Sequence, residues 1–448
     1  MSLIKNLFND VEKVLLGAAI GALSEALNVK APTNFQPGDV DLIDILLMSE
    51  DQQRTYSLMR QCVAFDVYES ILSPVMFAEL TIADSIGLEQ NFPILGGEYI
   101  KLTFKTPKNR GQPAEFLFRV KGIENKQVNE SNKRLTYTIT CVSSELINNS
   151  KTLVTLSGLD NISTYVKNIM ENDLETNKPL FIDATAGMER VLQTRLSPFQ
   201  MIDYLRQRAV STTYLSSSFC FFENRKGFHF TTIEKMFEQA FREEDTDKMF
   251  FFDTSRKDAA ENVTMRNIIA YNQMQYGDVI SQIMCGGLNN QVQSFDMITG
   301  DISRVTYTDN IGADSFRSTS PTGTASRPST FTSNHGRSTA VTRIIPVRSD
   351  RPTGEIAERL SRVQAYAQKI SQNIVQIHIY GDTDISVGDV IRCRFPSGAD
   401  DSEGQGTSRL TSGFYLVSKA RHIVLNTDRP QYTQALELIK SDIEEVMS

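Results

Sequence analysis

The segment Gly97–Phe104 reads GEYIKLTF, and Gly388–Phe395 reads GDVIRCRF. Both copies follow the pattern glycine, acid, any residue, isoleucine, base, two variable residues and phenylalanine. A variable loop, a strand-like run and a run that opens with Tyr-Thr follow each copy: Phe116–Val120 and Tyr137-Thr138 after the first, and Phe414–Val417 and Tyr432-Thr433 after the second. Four matches in the same order predict two copies of one β module.

Residues on either side of the first copy alternate between apolar and polar side chains, as half-buried strands do. The alternation is clearest at Leu135, Tyr137, Ile139 and Cys141. Five strands are predicted between residues 60 and 147: Cys62–Tyr68, Met76–Ala83, Tyr99–Thr106, Glu115–Ile123 and Arg134–Val142. Glycine, proline and asparagine separate the runs, which is typical of turns in an antiparallel β domain.

The apolar period changes to that of a helix in the middle of the chain. The residues at helical spacing are Ile162, Tyr165, Val166, Ile169 and Met170. Asp160 is the predicted N-cap of this helix. A second helix is predicted over Pro198–Ala209, because Ser197 can cap it and proline fits the first helical position. Two strands, Ser218–Glu223 and Gly227–Thr232, are expected to follow, joined by the polar turn Asn224-Arg225-Lys226.

The region between the two modules contains a segment rich in Ser, Thr, Gly and Pro. It runs from Ile311 to Ala340 and holds too few large apolar side chains to offset the entropy lost on ordering, so an exposed arm is expected. A helix is predicted over Thr353–Gln372, and β structure is predicted from Ile374 to the end. The second module is expected to take its earlier strands from residues 211–255.

These features predict an α+β fold with two duplicated antiparallel β-barrels and with helical and mixed insertions. The predicted division is an N-terminal helical segment at 1–38, a first barrel at 39–150, a helical connecting domain at 151–210, the first part of the second barrel at 211–255, an insertion with helices and the arm at 256–370, and the rest of the second barrel with the tail at 371–448. Two equivalent modules per chain would let a trimer close all its sheet edges around a bore.

The N-terminal apolar run Val14–Leu23 is far shorter than the roughly 20 residues needed to cross a bilayer. Acidic residues precede the run, and no cleavage-site pattern follows it, so a signal peptide is not expected. An amphipathic or buried helix is predicted for this segment, with membrane contact as the alternative.

The composition is that of a globular protein, with 40% hydrophobic and 22% charged residues in 448. A chain of this length predicts several domains. The net charge of -8 disfavours a protein that holds nucleic acid by neutralising phosphates, since such a protein needs an excess of clustered Lys and Arg. An acidic wall would repel DNA, which suits a conduit better than a DNA-binding site.

The residue types that bind metals or perform catalysis show no recognisable arrangement. The five cysteines form no CxxC pair and are expected to be buried thiols: Cys62, Cys141, Cys220, Cys285 and Cys393. His229, His335, His378 and His422 are the only histidines, and His378 and His422 fall in predicted strands. The run Asp39–Asp44 lacks the glycine and the closing glutamate of a calcium loop, so a solvated acidic turn is expected there.

No catalytic motif is present in the sequence: it has no GxSxG, no GxxxxGK and no HExxH. The carboxylates of Glu243, Glu244, Asp245 and Asp247 could in principle hydrolyse a glycoside, but adjacent acids usually form a charged surface. The prediction is therefore a non-enzyme with no catalytic, cofactor-binding or metal-binding residues and no cofactor. A cell-wall-degrading tail hydrolase stays open as an alternative.

Several segments form a further pattern when they are taken in order: Val67–Leu88, Phe92–Glu98, Phe199–Leu205, Ile374–Phe395 and Ser412–Val417. Together they resemble the baseplate central hub proteins of contractile-tailed bacteriophages, and the resemblance covers most of the chain from about residue 40 onward. The N-terminal 40 residues and the Ser/Thr arm match no part of the family pattern. A spike-base protein of a related secretion machine is a further alternative.

The resemblance implies a homotrimer in which each chain contributes two tube-like barrels to a pseudo-sixfold ring. Such a ring would act as a symmetry adaptor that joins the sixfold tail tube to a threefold spike. The implied partners are the spike protein, the tail tube or a tube-initiator protein, baseplate wedge proteins and the tape measure protein. DNA would pass through during genome ejection without specific binding, and the protein, with no membrane-spanning segment, would lie in the virion after assembly in the host cytoplasm.

Two further expectations concern the modules. The turns at Gly97 and Gly388 should hold equivalent positions, so that Ile100 and Ile391 occupy matching core sites. The bore should be lined by polar and acidic groups with few unpaired basic ones, because each Lys or Arg that faces DNA adds a salt-dependent phosphate contact.

Overall fold

The protein consists mostly of antiparallel β structure with a few helices. A computed structural model describes residues 37–106, 113–129, 134–213, 218–242, 248–252, 265–276, 289–296, 298–308, 341–347, 373–396 and 411–440. All of these residues except Pro37 belong to the unit Gly38–Ser448. The first-module strands are β1 (Asp41–Met48), β2 (Thr55–Ser57), β3 (Cys62–Ser70), β4 (Phe77–Asp84), β5 (Tyr99–Lys105), β6 (Ala114–Asn129) and β7 (Arg134–Val142).

The remaining strands are β8 (Val154–Asp160), β9 (Leu180–Ile182), β10 (Glu189–Leu196), β11 (Phe219–Asn224), β12 (Gly227–Thr232), β13 (Met249–Phe251), β14 (Ile268–Tyr276), β15 (Asn289–Asp296), β16 (Ile302–Thr308), β17 (Val341–Val347), β18 (Asn373–Tyr380), β19 (Val390–Arg394), β20 (Gly413–Leu425) and β21 (Gln431–Lys440). The helices are α1 (Leu88–Asn91), α2 (Ser144–Lys151), α3 (Ile162–Asn168), which continues as a π-turn over Ile169–Asp173, α4 (Pro198–Arg206) and α5 (Ile233–Arg242).

Thirteen strands form one large sheet in the order β14-β18-β21-β20-β3-β4-β7-β6-β5-β1-β2, and β19 pairs with both β20 and β13. Strands β1 to β7 make up the first half of this sheet, and β13, β14 and β18 to β21 make up the second half. The halves meet where Lys419–Leu425 of β20 pair antiparallel with Ala64–Ser70 of β3. One long strand therefore belongs to the second half and carries the junction to the first.

The two halves share one strand order. In the first half β5 pairs with β6, β6 with β7, β7 with β4 and β4 with β3; in the second half β19, β20, β21, β18 and β14 follow the same sequence of antiparallel pairs. Ile100 pairs with Phe118, and Ile391 pairs with Tyr415. Both isoleucines are fully buried. The two glycine turns thus precede strands with the same place in the order, as the sequence predicts.

The Tyr-Thr pairs lie on the expected strands but not at the same level. Val120 pairs with Cys141, and Val417 pairs with Leu438, and a bulge follows each pair. Cys141 of β7 and Leu438 of β21 therefore serve as reference residues. We call a residue of the first half and a residue of the second half matched when their pairing partners lie the same number of positions from these two references. Tyr137 lies four positions before Cys141 and Tyr432 six before Leu438, so this part of the repeat alignment is wrong by two residues.

Each half of the large sheet has its own core, and β20 contributes to both. Val424 of β20 lies in the first core beside Phe65 and Phe104, whereas Ala420 lies in the second core with Ile391. Burying one such phenylalanine stabilises the fold by about 1.5–3 kcal/mol. Side chains at successive positions along one face of β20 thus contribute to two cores.

The connecting region at 151–210 contains strands as well as the predicted helices. Strands β8 and β10 pair antiparallel, and β8 extends to Asp160. The predicted N-cap is therefore wrong: Asn161 precedes α3, because Asp160 is still in the strand. The second predicted helix is confirmed as α4, where Ser197 and Gln200 form a capping box and Pro198 begins the helix.

The hairpin β11-β12 forms as predicted, but its hydrogen bonds place it outside the large sheet. Strand β12 pairs in parallel with β9, which gives a separate three-stranded sheet. Its side chains alternate between two cores: Phe219 and Phe221 pack with the connecting helices, whereas Cys220 and Phe222 pack with the second core. The hairpin packs on the second half without continuing its sheet.

Strands of the second half come partly from an unexpected place. Strand β13 pairs with β19, in agreement with the expected contribution of residues 211–255, but β14 lies in the segment predicted as an insertion and pairs with β18. Strands β15, β16 and β17 form another small sheet. The domain boundaries themselves stay a prediction. The N-terminal run Val14–Leu23, the arm 311–340 and the predicted helix 353–372 lie outside the described residues.

Candidate functional site

The turn before β5 is held by a fixed set of backbone contacts. Gly97 has a φ of +96°, a left-handed conformation that favours glycine. Its N–H donates to the carbonyl of Val120 at 2.9 Å, and the N–H of Val120 donates to the carbonyl of Glu98 at 2.7 Å. The Glu98 carboxylate accepts from the N–H groups of Leu95 at 2.8 Å and Gly96 at 2.9 Å. The acid of the repeat therefore stabilises the turn.

The turn before β19 repeats these contacts. Gly388 has a φ of +91°, its N–H donates to the carbonyl of Val417 at 3.1 Å, and the N–H of Val417 donates to the carbonyl of Asp389 at 2.9 Å. The Asp389 carboxylate accepts from the N–H of Ser386 at 3.0 Å. The conformation, the partner strand and the role of the acid agree between the two turns. The glycine and the acid of the sequence pattern therefore have a structural cause.

The junction between the two halves has a polar face opposite the cores. Arg421 of β20 donates to the carboxylate of Asp66 in β3 at 2.8 Å. Lys419, two residues earlier on the same strand, lies 2.9 Å from the carboxylate of Glu437. Both basic side chains of β20 on this face are thus paired with acids, and both are about half exposed.

The same face continues across β3 and β4 with polar side chains. The Tyr68 hydroxyl donates to the carboxylate of Glu79 at 3.2 Å. Burial, together with the neighbouring carboxylates, raises the pKa of Tyr68 to about 12. Thr81 and Thr138 extend this surface along β4 and β7, where they pair directly. The face therefore offers paired charges, hydroxyl groups and carboxylates rather than free cations.

A buried polar group lies under the junction. Nδ1 of His422 is 2.7 Å from the Tyr432 hydroxyl and 3.1 Å from the side-chain amide of Gln434. Glu69 accepts a hydrogen bond from the N–H of Val387 at 3.0 Å and lies 3.7 Å from His422. Desolvation raises the pKa of Tyr432 well above its usual value. These contacts tie β3, β20 and β21 to the loop before β19.

A second buried network joins the first half to the connecting region. Lys178 lies 2.5 Å from the carboxylate of Glu223 and 2.8 Å from that of Glu145. Glu223 also accepts from the Ser143 hydroxyl at 2.5 Å and from the N–H of Met76 at 3.0 Å. Burial raises the pKa of Glu223, and the Lys178 ammonium partly offsets this effect. The network has the character of a structural clamp, because its partners saturate the carboxylate.

The described histidines have structural surroundings. His229 stacks between Phe181 at 4.7 Å and Phe222 at 5.0 Å, and its Nε2 is 3.0 Å from the side-chain oxygen of Asn224. Burial, and to a lesser extent the charge of Lys226, lowers the pKa of His229 to about 4. His378 is exposed on β18, and His422 is buried on β20, so both lie in strands as predicted. His335 lies outside the described residues.

The acidic run near the first strand is not the turn expected from the sequence. Residues Asp41–Met48 form β1, and Asp44 pairs with Thr103 of β5. Asp39, just before this strand, makes a two-pronged contact with Arg429 at 2.7 and 2.6 Å. The reason is that Ile45 and Leu47, which follow, are buried in the first core and draw the run into the sheet.

Cysteines and acids form no ligand group in the part of the chain that the structure describes. Cys62, Cys141, Cys220 and Cys393 are free and buried, as predicted, and burial raises the pKa of Cys62 to about 12. No group of three or more His, Cys, Asp or Glu side chains that could hold a metal occurs among the described residues. Cys285 and the carboxylates of Glu243, Glu244, Asp245 and Asp247 lie outside them. No helix within the described ranges has the length and apolar character needed to cross a membrane.

Comparison with known proteins identifies a fold. No family model matches the sequence, and no curated protein matches it. The structure is similar to the tail protein from Neisseria meningitidis MC58, with a TM-score of 0.52 and 10% identity over 89% of this chain and 97% of that one. It also aligns with the 43 kDa tail protein of prophage MuSo2 from Shewanella oneidensis, at TM-score 0.49 and 9% identity over 90% and 100% of the two chains.

A third similarity is to the E. coli c3393 protein, a component of the type VI secretion system, at TM-score 0.41 and 8% identity over 91% of this chain and 79% of that one. Of these three alignments, the one with the Neisseria protein has a TM-score above 0.5, and at 10% identity it shows a likeness of fold alone. The mainly antiparallel architecture described above is therefore similar to the fold of that tail protein over 89% of this chain and 97% of that one.

Proposed function

We propose that the protein is the central hub of a contractile-tail baseplate, a non-enzymatic homotrimer that adapts a sixfold tail tube to a threefold spike. The observation that carries this proposal is the repeated strand order in the two halves of one sheet, with the same turn contacts at Gly97 and Gly388. A chain with two similar units can present six similar units in a trimer while it keeps threefold symmetry. The shared fold with a tail protein supports the same role.

The polar face at the junction supports a role as part of the DNA conduit. Its basic side chains, Lys419 and Arg421, each have a carboxylate partner. A paired cation offers less attraction to a phosphate than a free one, and the whole chain carries a net charge of -8. In this proposal the face lines the bore, and DNA slides past it without being held.

The proposed partners follow from the position of a hub. They are the spike protein on one side, the tail tube or tube-initiator protein on the other, baseplate wedge proteins around the ring, and the tape measure protein before ejection. The proposed location is the virion, after assembly in the host cytoplasm.

Electron microscopy of the purified protein tests the proposal directly. Rings of three subunits with a central bore are the expected result, and compact monomers at high protein concentration would contradict it. Gel-shift measurement of the same sample with duplex DNA should show no tight binding at moderate salt. Tight binding there would favour a DNA-anchoring role over a conduit.

The hydrolase alternative is tested separately by zymography on peptidoglycan. A clear zone that disappears in a Glu243→Gln/Glu244→Gln double variant would replace the structural role with an enzymatic one. A gel without clearing, beside an active lysozyme lane as a positive control, is the expected result.

A further inference from the structure

The internal junction shows how one edge of β20 is covered along its length. Strand β19 pairs with the first part of β20. This pairing ends at the turn before β19, where the N–H of Gly388 donates to the carbonyl of Val417. Beyond the bulge at that point, β3 takes over the same edge from Lys419 to Leu425. A strand of one half therefore completes the edge that the other half leaves open.

The equivalent edge in the first half has no such cover among the strands that the structure describes. Strand β5 pairs with the first part of β6. This pairing ends at the turn before β5, where the N–H of Gly97 donates to the carbonyl of Val120. Past Val120, β6 continues to Asn129 with β7 on one side, and no described strand pairs with the other side. Strand β14, which corresponds to β3, likewise pairs with β18 alone among the strands that the structure describes.

The side chains along these two edges differ from their matched residues in exposure. Val128 pairs with Leu135, and Val424 pairs with Tyr432; both partners lie six positions before the reference residues of β7 and β21, so the two valines are matched. Val424 is 0% exposed at the junction, whereas Val128 is 67% exposed.

The opposite edge shows the same contrast. Phe65 pairs with Leu80 and Tyr271 pairs with Ile377, and these partners hold matched places on β4 and β18, so Phe65 and Tyr271 are matched. Phe65 is 1% exposed and Tyr271 is 42% exposed. At the internal junction the matched pair Phe65 and Val424 lie directly opposite each other. The two edges that no described strand covers thus expose Val128 and Tyr271. The junction buries the residues that match them, Val424 and Phe65.

We infer that β6 of one subunit pairs antiparallel with β14 of a second copy of this chain, in the register of the β20–β3 junction, with Val128 opposite Tyr271. This inference rests on the proposed trimeric hub and adds the surface that would build it. The pairing would cover two sheet edges that no described strand covers, and uncovered edges favour non-specific association. It would also join the eight strands from β14 to β6 of each subunit into one closed ring.

Disulfide trapping tests the register. Residues opposite each other on antiparallel strands have Cα atoms about 4.5–5.5 Å apart, which lies within the range that a disulfide can bridge. The full-length double variant Val128→Cys/Tyr271→Cys should form covalent dimers and trimers under mild oxidation, seen on non-reducing gels. The matched control is Val128→Cys/Asn272→Cys, because Asn272 points to the other face of its strand. Neither the control nor the two single variants should form the ladder.

A second variant tests the surface without cysteine chemistry. Val128→Asp changes a side chain that is exposed in the single chain, so the subunit should keep its circular dichroism spectrum. Burying an unpaired carboxylate at the inferred contact between subunits is costly. The protein concentration needed for trimers in analytical ultracentrifugation should therefore rise at least about tenfold. An unchanged trimer would overturn the inferred contact.

The outcomes separate this inference from the proposed function. Wild-type trimers that do not cross-link at 128 and 271, or that cross-link equally well in the control, would overturn the edge pairing and leave the hub proposal standing. Wild-type protein that stays monomeric at every concentration would remove both. A disulfide formed within one chain would show that the two edges close on each other, and would also overturn the inference.

Discussion

Alanine at the two glycine turns should have unequal effects, although the turns have the same backbone conformation. The φ values of +96° at Gly97 and +91° at Gly388 make any side chain unfavourable, at a cost of about 1–2 kcal/mol in each case. A Cβ at Gly97 would meet only the Arg119 guanidinium at 3.9 Å, whereas a Cβ at Gly388 would lie 2.9 Å from the Phe222 ring. Such overlap in a packed core costs a further ~1–3 kcal/mol.

Urea unfolding followed by circular dichroism measures the difference. The backbone cost is common to both variants, so the excess loss in Gly388→Ala over Gly97→Ala reports the clash with the ring. Combining Gly388→Ala with Phe222→Leu should lose less stability than the sum of the two single variants, because leucine lacks the atom in closest approach. Equal losses for the two alanine variants would refute the steric argument, and no loss for Gly97→Ala would refute the backbone argument.

Three further predictions concern charged groups. Lys178→Met should lower the free energy of unfolding by about 3–5 kcal/mol, since it leaves the fully buried Glu223 carboxylate without its cation; a loss under about 1 kcal/mol in urea titration would contradict this. Arg421→Ala should cost less than about 1 kcal/mol, because the Arg421 side chain is about half exposed and its attraction to Asp66 is screened by solvent, and should leave the thermal midpoint nearly unchanged. The pKa of His229 is lowered from 6.5 to about 4, so the folded state favours the neutral ring; stability present above pH 6.5 is lost as the pH falls towards 4. His229→Gln should show a shallower loss across that interval, and an identical slope would count against the assignment.

The strands of the first module could be predicted because their signals are local. Alternation along residues such as Leu135 and Ile139 needs only the period of a pleated strand, and the glycine turns need only a residue that tolerates a positive φ. The helix α4 is marked by Ser197 and Pro198 at its start for the same reason. Each of these signals lies within a few residues of the element that it predicts.

Long-range pairing could not be read in the same way. Arg421 and Asp66 are 355 positions apart, and neither has a neighbour in sequence that indicates its partner. Strand β14 carries Ile268 and Tyr271 among several amides, so its sequence resembles an insertion as much as a sheet strand. The sequence assigns the hairpin β11-β12 to the second module, whereas the structure places it in a separate sheet. The reason is that Phe222 packs in the second core while the backbone of β12 pairs with β9. Packing and hydrogen bonding point to different neighbours there.

The ion pair across the internal junction has a consequence for how such a chain can evolve. Arg421 is matched by Glu124 in the first half, and Asp66 is matched by Asn272 in the second, so the matched positions share their backbone pairing but cannot form the same ion pair. In a ring built from identical single-module subunits, one substitution in the gene would change every equivalent junction at once. In this chain the two copies of each position mutate independently, so the charge at the internal junction can change while the charge at the proposed contact between subunits stays the same.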